Sequence, residues 1–208
     1  MFSCAFESGV FMDRLSAETR ILVAARTLFF QHGFAKVSTD LLAREASVSK
    51  ATIYRHFENM TEILRRLIEI EISRISGARM PTIETRADLE QALTEFGIRL
   101  LTFLNQSDTV EFGRVIHEEA RQNVDMGQAF FSVAFDNTHR TVAKMFAHAG
   151  EHQIITLSAT PDDIAEDLIA LFKGSGMTAA MLGVLDVPYG DIEGKVQRAV
   201  QTILKVYG

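Results

Sequence analysis

The stretch from Ser38 to Phe57, STDLLAREASVSKATIYRHF, constrains this chain more than any other. Apolar residues recur in it at helical spacing twice, with room for only a tight turn between. Ser38 stands where a side-chain oxygen can accept from the unpaired amides of a helix start, and Ser49 stands in the same relation to a second helix. Leu41, Leu42 and Ala46 fall on the inward side of the first helix. Val48 plugs the turn Ala46-Ser47-Val48. In the second helix Ile53 and Phe57, four apart, point back to a core and leave Lys50, Ala51, Thr52, Tyr54, Arg55 and His56 outside. A short helix that buries Ile and Phe while displaying Lys, Thr, Tyr, Arg and His suits the major groove of a duplex.

Charge supports that reading. The chain carries −6 overall, but Arg14 to Phe57 holds seven Lys/Arg against three acids, +4, so the remainder carries −10. Phosphate attracts the first region and repels the second, which orients the molecule on DNA. At 208 residues, 47% of them hydrophobic and only three Pro, the chain has material for a small head and a larger helical body. No apolar run reaches the roughly 18 residues of a membrane span, so no membrane partner is expected. A lone cysteine, Cys4, excludes an intramolecular disulfide framework and fits a cytoplasmic location. The opening MFSCAFE lacks a basic n-region and does not read as a signal peptide. Met12 would be an equally sensible start, and residues 1–11 read as an arm or an extended reading frame.

Helical periodicity continues on both sides of the central stretch, with no alternating strand pattern. Residues 17–32 form a first helix, capped by Ser16 and ended by Gly33, whose stripe is Ile21, Leu22, Ala25, Leu28 and Phe29. Asn59-x-x-Glu62 reads as a capping box opening a helix from 60 to about 78. Its Ile63, Leu64, Leu67, Ile68, Ile70, Glu71 and Ile75 form too broad an apolar face for one neighbour, which suits a connector. Gly77 and Pro81 end it, and Met80–Arg86 is the expected seam between domains. Thr85 caps a helix bearing Leu89, Leu93, Phe96, Leu100, Phe103 and Leu104. Asp108-x-x-Glu111 opens another, with Phe112, Val115, Ile116 and Ala120. One long helix is predicted from Met126 to about Ala149, a further helix after Thr160-Pro161, and a last one from Asp191 to Tyr207. The fold class is therefore all-α: a three-helix head (14–60) with a helix-turn-helix, a connecting helix (61–80) and a larger helical-bundle domain for ligand binding and dimerisation (81–208).

These residues also carry a resemblance. Ile21-Leu22, Ala24-Ala25, Leu28-Phe29, Gly33-Phe34, Val37-Ser38, Leu42-Ala43 and the run VSKATIYRHF at 48–57 resemble the N-terminal domain of TetR-type repressors over about fifty residues, Ala17 to roughly Leu67. The run FGRVIHEEAR at 112–121 resembles the C-terminal domains of the AefR-like branch. The resemblance implies that Tyr54 and His56 hold the phosphate backbone, with Thr39 doing so from the preceding helix. The full set expected at DNA is Ser38, Thr39, Ser49, Lys50, Ala51, Thr52, Tyr54, Arg55 and His56. Lys50 can donate to guanine or phosphate, Ala51 can meet a thymine methyl, and Thr52 a base edge. Two positions depart from the family pattern. Ser47 replaces a glycine before the turn, and Met60 stands where a phosphate-contacting Lys is usual.

Fifteen Phe and eight Met, with no Trp, make a pliable apolar body. The candidate ligand cavity is lined by Phe96, Phe103, Phe112, Phe131, Phe135 and Phe146, with Met126 and Met145 adapting its shape and His117, Glu118 or His139 supplying polar selectivity. An ordinary bundle core accounts for any single Phe equally well. His148 and His152 have a metal-ligand spacing, but Gly150 is expected to end their helix and dissolve the shared face, so no metal or cofactor is expected. Without a nucleophile motif or phosphate loop, neither is an enzyme. Small residues Gly174, Gly176, Ala179, Ala180 and Gly183 favour a homodimer made by helices within 161–206. Two half-sites on an operator call for two readers. The function expected is a transcription repressor released from double-stranded DNA by a small apolar or amphipathic inducer. The alternatives are a DNA-bound architectural or activating protein with a filled, non-responsive body, and a sequestering module or enzyme with a vestigial head.

Overall fold

The computed structural model describes residues 15–76, 81–121 and 123–208, and among them every regular element is helical. Residues 1–14, with Cys4, Met12 and Arg14, lie outside the described residues, as do Gly77 and Met80. Compactness divides the chain into two units. One comprises the described residues to Leu67 with Val115–Ala129; the other comprises Ile68–Arg114 with Phe130–Gly208.

In the first unit α1 (Ala17–His32) starts where Ser16 accepts from the Thr19 amide and stops at Gly33, whose φ of 81° no β-carbon obstructs. Its stripe of Ile21, Leu22, Ala25, Leu28 and Phe29 is buried throughout. Helices α2 (Thr39–Glu45) and α3 (Lys50–His56) pack on it and on each other. Leu42, Ala46, Ile53 and Phe57 are buried, while Leu41 and Val48 are only half-buried. Phe57 follows α3 in extended conformation rather than lying in it. Helix α4 runs Met60–Ser76, and the boundary between the two units falls within it, after Leu67. Asn59 accepts from the Glu62 amide as a capping box requires, but the Glu62 carboxylate reaches back to the amide of Glu58, one residue beyond the box.

The second unit is built on α5 (Arg86–Leu104), α8 (Asn137–Glu151), α9 (Pro161–Met181) and α10 (Ile192–Tyr207), which pack around one another. Thr85 and Asp88 form a full capping box at the start of α5, and the bonds from Thr85 and from the Glu84 and Thr85 amides lower the Asp88 pKa. Thr160 caps α9 ahead of its N1 proline, and Asp191 caps α10. Phe96, Phe146 and Phe172 are fully buried with Leu89, Leu93, Leu101, Val196 and Val200.

Three local expectations are corrected. The helix α6 begins at Ser107, so Asp108 sits in its first turn rather than capping it, and Glu111 pairs with Arg114. The long helix beyond 126 is not uniform. It runs as α7 (Val124–Phe131), a π-helical turn over Ser132–Asp136, and then α8. Gly150 does not end α8, which continues to Glu151. Termination falls to Gln153, whose φ of 57° lets its amide reach Gly150 and the Ile154 amide reach Ala149, 3.1 and 2.9 Å away. The glycine instead lets Leu157 approach, since a β-carbon at 150 would stand 2.9 Å from its Cδ1.

Candidate nucleic-acid interface

The turn between α2 and α3 is a complete Schellman motif. The Val48 amide donates to Ala43 (3.0 Å) and the Ser47 amide to Arg44 (3.1 Å), satisfying carbonyls that the helix end would leave open. The pattern needs a left-handed residue, and Ser47 supplies it at φ 52°. The turn thus keeps the geometry a glycine would give, at a steric cost. It delivers the chain to Ser49, which accepts from the Thr52 amide at 3.0 Å and starts α3.

With Ile53 and Phe57 buried as anchors, α3 turns Lys50, Ala51, Tyr54, Arg55 and His56 outward, and Thr52 is half-buried. Tyr54 is 59% exposed, although its ring would find apolar cover inside a core. Its hydroxyl lies 3.5 Å from that of Thr39, so these two side chains from successive helices form one polar pair on the surface. Lys50 is held by Asp40 of α2 at 2.6 Å. Both groups are exposed, and such pairs contribute only about 0–1 kcal/mol, so a stronger anion can take the lysine over. Ser38 and Ser49 are occupied as caps, by the amides of Leu41 and Thr52, and the Ser49 hydroxyl also meets that of Thr52 at 2.9 Å. The nine residues that the sequence nominates therefore lie on one helix-turn-helix: five present polar or small groups outward from α3, and Ser38, Thr39, Ser49 and Thr52 frame them. Asp40 was missed. Its four-residue offset from Arg44 points along α2 and gives no hint of Lys50.

The residues nominated for a ligand differ in burial and in the unit they belong to. Phe96, Phe146 and Met126 are fully buried, Phe103, Phe112 and Phe135 are half-buried, and Phe131 is 58% exposed. His117 and Met126 belong to the first unit and the others to the second. His117 is exposed. His139 is committed through Nε2 to the Asp162 carbonyl at 2.9 Å, in the first turn of α9. Phe131 and Phe135 touch as rings, 5.0 Å apart and near parallel. His148 and His152 share a face, ring to ring at 4.0 Å, because α8 passes through Gly150. Each is engaged by a backbone carbonyl, Ile83 for His148 and His148 for His152. Among the described residues no group of three or more His, Cys, Asp and Glu is placed to hold a metal ion, and no helix is long and apolar enough to cross a membrane.

Of the small residues, Gly176 and Ala180 serve packing within the chain. A β-carbon at Gly176 would stand 2.3 Å from the Pro188 carbonyl, and the buried Ala180 offers its carbonyl to Arg114 at 2.9 Å. Gly174 breaks α9 (φ 50°, ψ −158°), and Gly183 ends it in another Schellman turn.

An all-helical chain whose anchored second helix displays Lys, Tyr, Arg and His is a helix-turn-helix DNA-binding regulator. Comparison with known proteins narrows the class. Residues 21–67 match the family described as bacterial regulatory proteins, tetR family, and residues 91–208 match the C-terminal domain of AefR-like transcriptional repressors. The chain belongs to the TetR family of transcriptional regulators. Among curated relatives it is 37% identical over 83 residues to the HTH-type transcriptional regulator YvkB of Bacillus subtilis, 39% of this chain and 42% of that one. It is 29% identical over 104 residues to the regulator MftR of Mycobacterium tuberculosis, covering 50% and 52% of the two chains. The chain thus spans about half the length of the curated relatives it matches. Solved structures align over nearly the whole chain. The flavonoid-responsive regulator FrrA is 25% identical with a TM-score of 0.74, covering 92% of this chain and 96% of that one. A TetR regulator from Agrobacterium tumefaciens is 19% identical with a TM-score of 0.76, covering 93% and 96%.

Proposed function

We propose that this regulator is a cytoplasmic homodimeric repressor that a small apolar or amphipathic molecule releases from its operator. The observation that carries the reading is the outward face of α3, anchored by Ile53 and Phe57. Lys50, Ala51 and Thr52 would meet base edges or phosphate, and Tyr54, His56, Arg55 and Thr39 would grip the backbone. Ser38 and Ser49 would present their helix starts to it. In this scheme residues 14–60 read DNA, 61–80 transmit, and 81–208 dimerise and take the inducer. Self-association through helices within 161–206 is supported by the exposed Leu171 and Val206 on α9 and α10 and by Leu182, Val184, Leu185 and Val187 in the connection between them. A two-fold dimer presents two readers one helical turn apart. Inducer and operator then oppose each other by binding different states of the dimer. Ligand response is supported by the likeness to a regulator whose name states it is flavonoid-responsive. A second reading, a filled and non-responsive body, draws support from the complete burial of Phe96, Phe146 and Met126.

The test is footprinting and gel shift on DNA upstream of the protein's own gene, with and without cell extract. Lys50→Ala and Tyr54→Ala should each weaken operator binding by about 1–3 kcal/mol. Unchanged affinity in both removes the reader assignment. Affinity unaffected by every bound ligand at constant salt leaves DNA binding but removes the inducer.

A further inference from the structure

Lys173 in the second unit is partly buried. The Lys173 ammonium in α9 sits 4.0 Å from the centre of the Phe135 ring. Among the described residues no carboxylate pairs with it, and burial alone pulls its pKa down to about 8. An aromatic face compensates an ammonium for only part of the water it gives up. The Phe135 ring belongs to a cluster. Phe131 stacks on it at 5.0 Å and 16°, and Phe130 meets it edge-on at 6.2 Å and 75°. Phe131 is more than half exposed, so the aromatic shelf is open.

The backbone is irregular on both sides of this contact. Phe135 lies in the π-helical turn over Ser132–Asp136, and α9 breaks at Gly174, the residue after Lys173. π-helical turns and helix breaks weaken a regular ladder and concentrate where side chains must be aimed for a task. The two irregularities flank the ammonium and the open aromatic shelf, and at Gly174 the missing β-carbon also leaves room for the Lys195 side chain.

We infer that Lys173, Phe135 and Phe131 form the head-group end of the effector site and select an organic monocarboxylate with an aromatic or otherwise flat apolar body. The carboxylate pairs with Lys173 and the body lies on the phenylalanines. An amine would set a second cation beside the first, and a neutral molecule would leave the ammonium unpaired. The inference rests on the ligand-responsive reading proposed above and names the chemistry of that ligand.

The full-length protein is titrated by calorimetry with 1-naphthoate and 4-phenylbutanoate and with their primary amides. Each acid should bind at least about tenfold tighter than its amide, the difference a charge-assisted pair makes. Lys173→Met should remove that advantage and leave the amides unchanged, and Lys173→Arg should keep most of it. Without ligand, Lys173→Met should melt no lower than the parent, since the ammonium contributes no pairing to lose. Equal binding of acid and amide, acid binding unaffected by Lys173→Met, or no binding of either acid overturns the inference. So does a dimer that falls apart in Lys173→Met, which would give the lysine's anion to a second copy. Operator release, measured in parallel, separates the two ideas. Lys173-dependent acid binding with no change in operator affinity keeps this site and removes the inducer reading. Release by neutral compounds alone does the reverse.

Discussion

Replacing Ser47 with glycine tests how the candidate reader helix α3 is held. Ser47 is the left-handed residue of the α2–α3 turn, at φ 52°, and both amides that close the turn depend on that conformation. A β-carbon there costs on the order of 1–2 kcal/mol. Glycine removes this but adds about 0.4–1 kcal/mol of backbone entropy to the unfolded chain. The residue is exposed, so little packing is lost. The net expectation is a gain of about 0.5–1 kcal/mol. In urea titration followed by far-UV circular dichroism, the midpoint should rise by about 0.25–0.5 M at an unchanged slope near 2 kcal/mol/M. Hydrogen exchange at the Val48 amide, bonded to Ala43, should slow in parallel. Ser47→Ala keeps the β-carbon and should leave both readings near the parent. If Ser47→Gly is no more stable than the parent while Ser47→Ala is neutral, the turn is not strained and the argument fails.

Two further outcomes follow from the second unit. In Gly97→Ala the new β-carbon would stand 2.7 Å from both Phe172 Cζ and Val196 Cγ1, two fully buried side chains with little room to move. Overpacking of about 1–3 kcal/mol should outweigh a helix-propensity gain of about 1, so the melting temperature falls; a rise would mean that Phe172 relaxes freely. The Lys173 pKa of about 8 predicts a pH effect. Between about pH 8 and the ordinary lysine value near 10.4, the unfolded chain holds the proton that the folded one has released. Stability should therefore rise with pH across that window, by on the order of 2–3 kcal/mol, and Lys173→Met should abolish that rise. Parallel pH curves for parent and Lys173→Met, measured by urea denaturation, would contradict the burial of the charge.

What the sequence by itself determined is what short-range chemistry controls. Ser16, Ser38, Ser49, Thr85, Thr160 and Asp191 cap the helices they precede, because a side-chain oxygen and the amide it accepts from lie within three residues of each other. Ile53 and Phe57 had to turn inward together, which left Lys50, Tyr54, Arg55 and His56 outside as the candidate reader. The tertiary structure alone decided the features that join distant residues. Asp40 meets Lys50 because the Schellman turn sets α3 across α2. Gly150 stays helical and leaves room for Leu157 to fold over it. The π turn brings Phe135 to a lysine thirty-eight positions on. Helical periodicity reports which face of a segment is apolar, but not which partner covers it or where packing widens or breaks the helix. For that reason the residues nominated for a ligand, chosen by type, range from core to surface, while those nominated for DNA lie together on one motif.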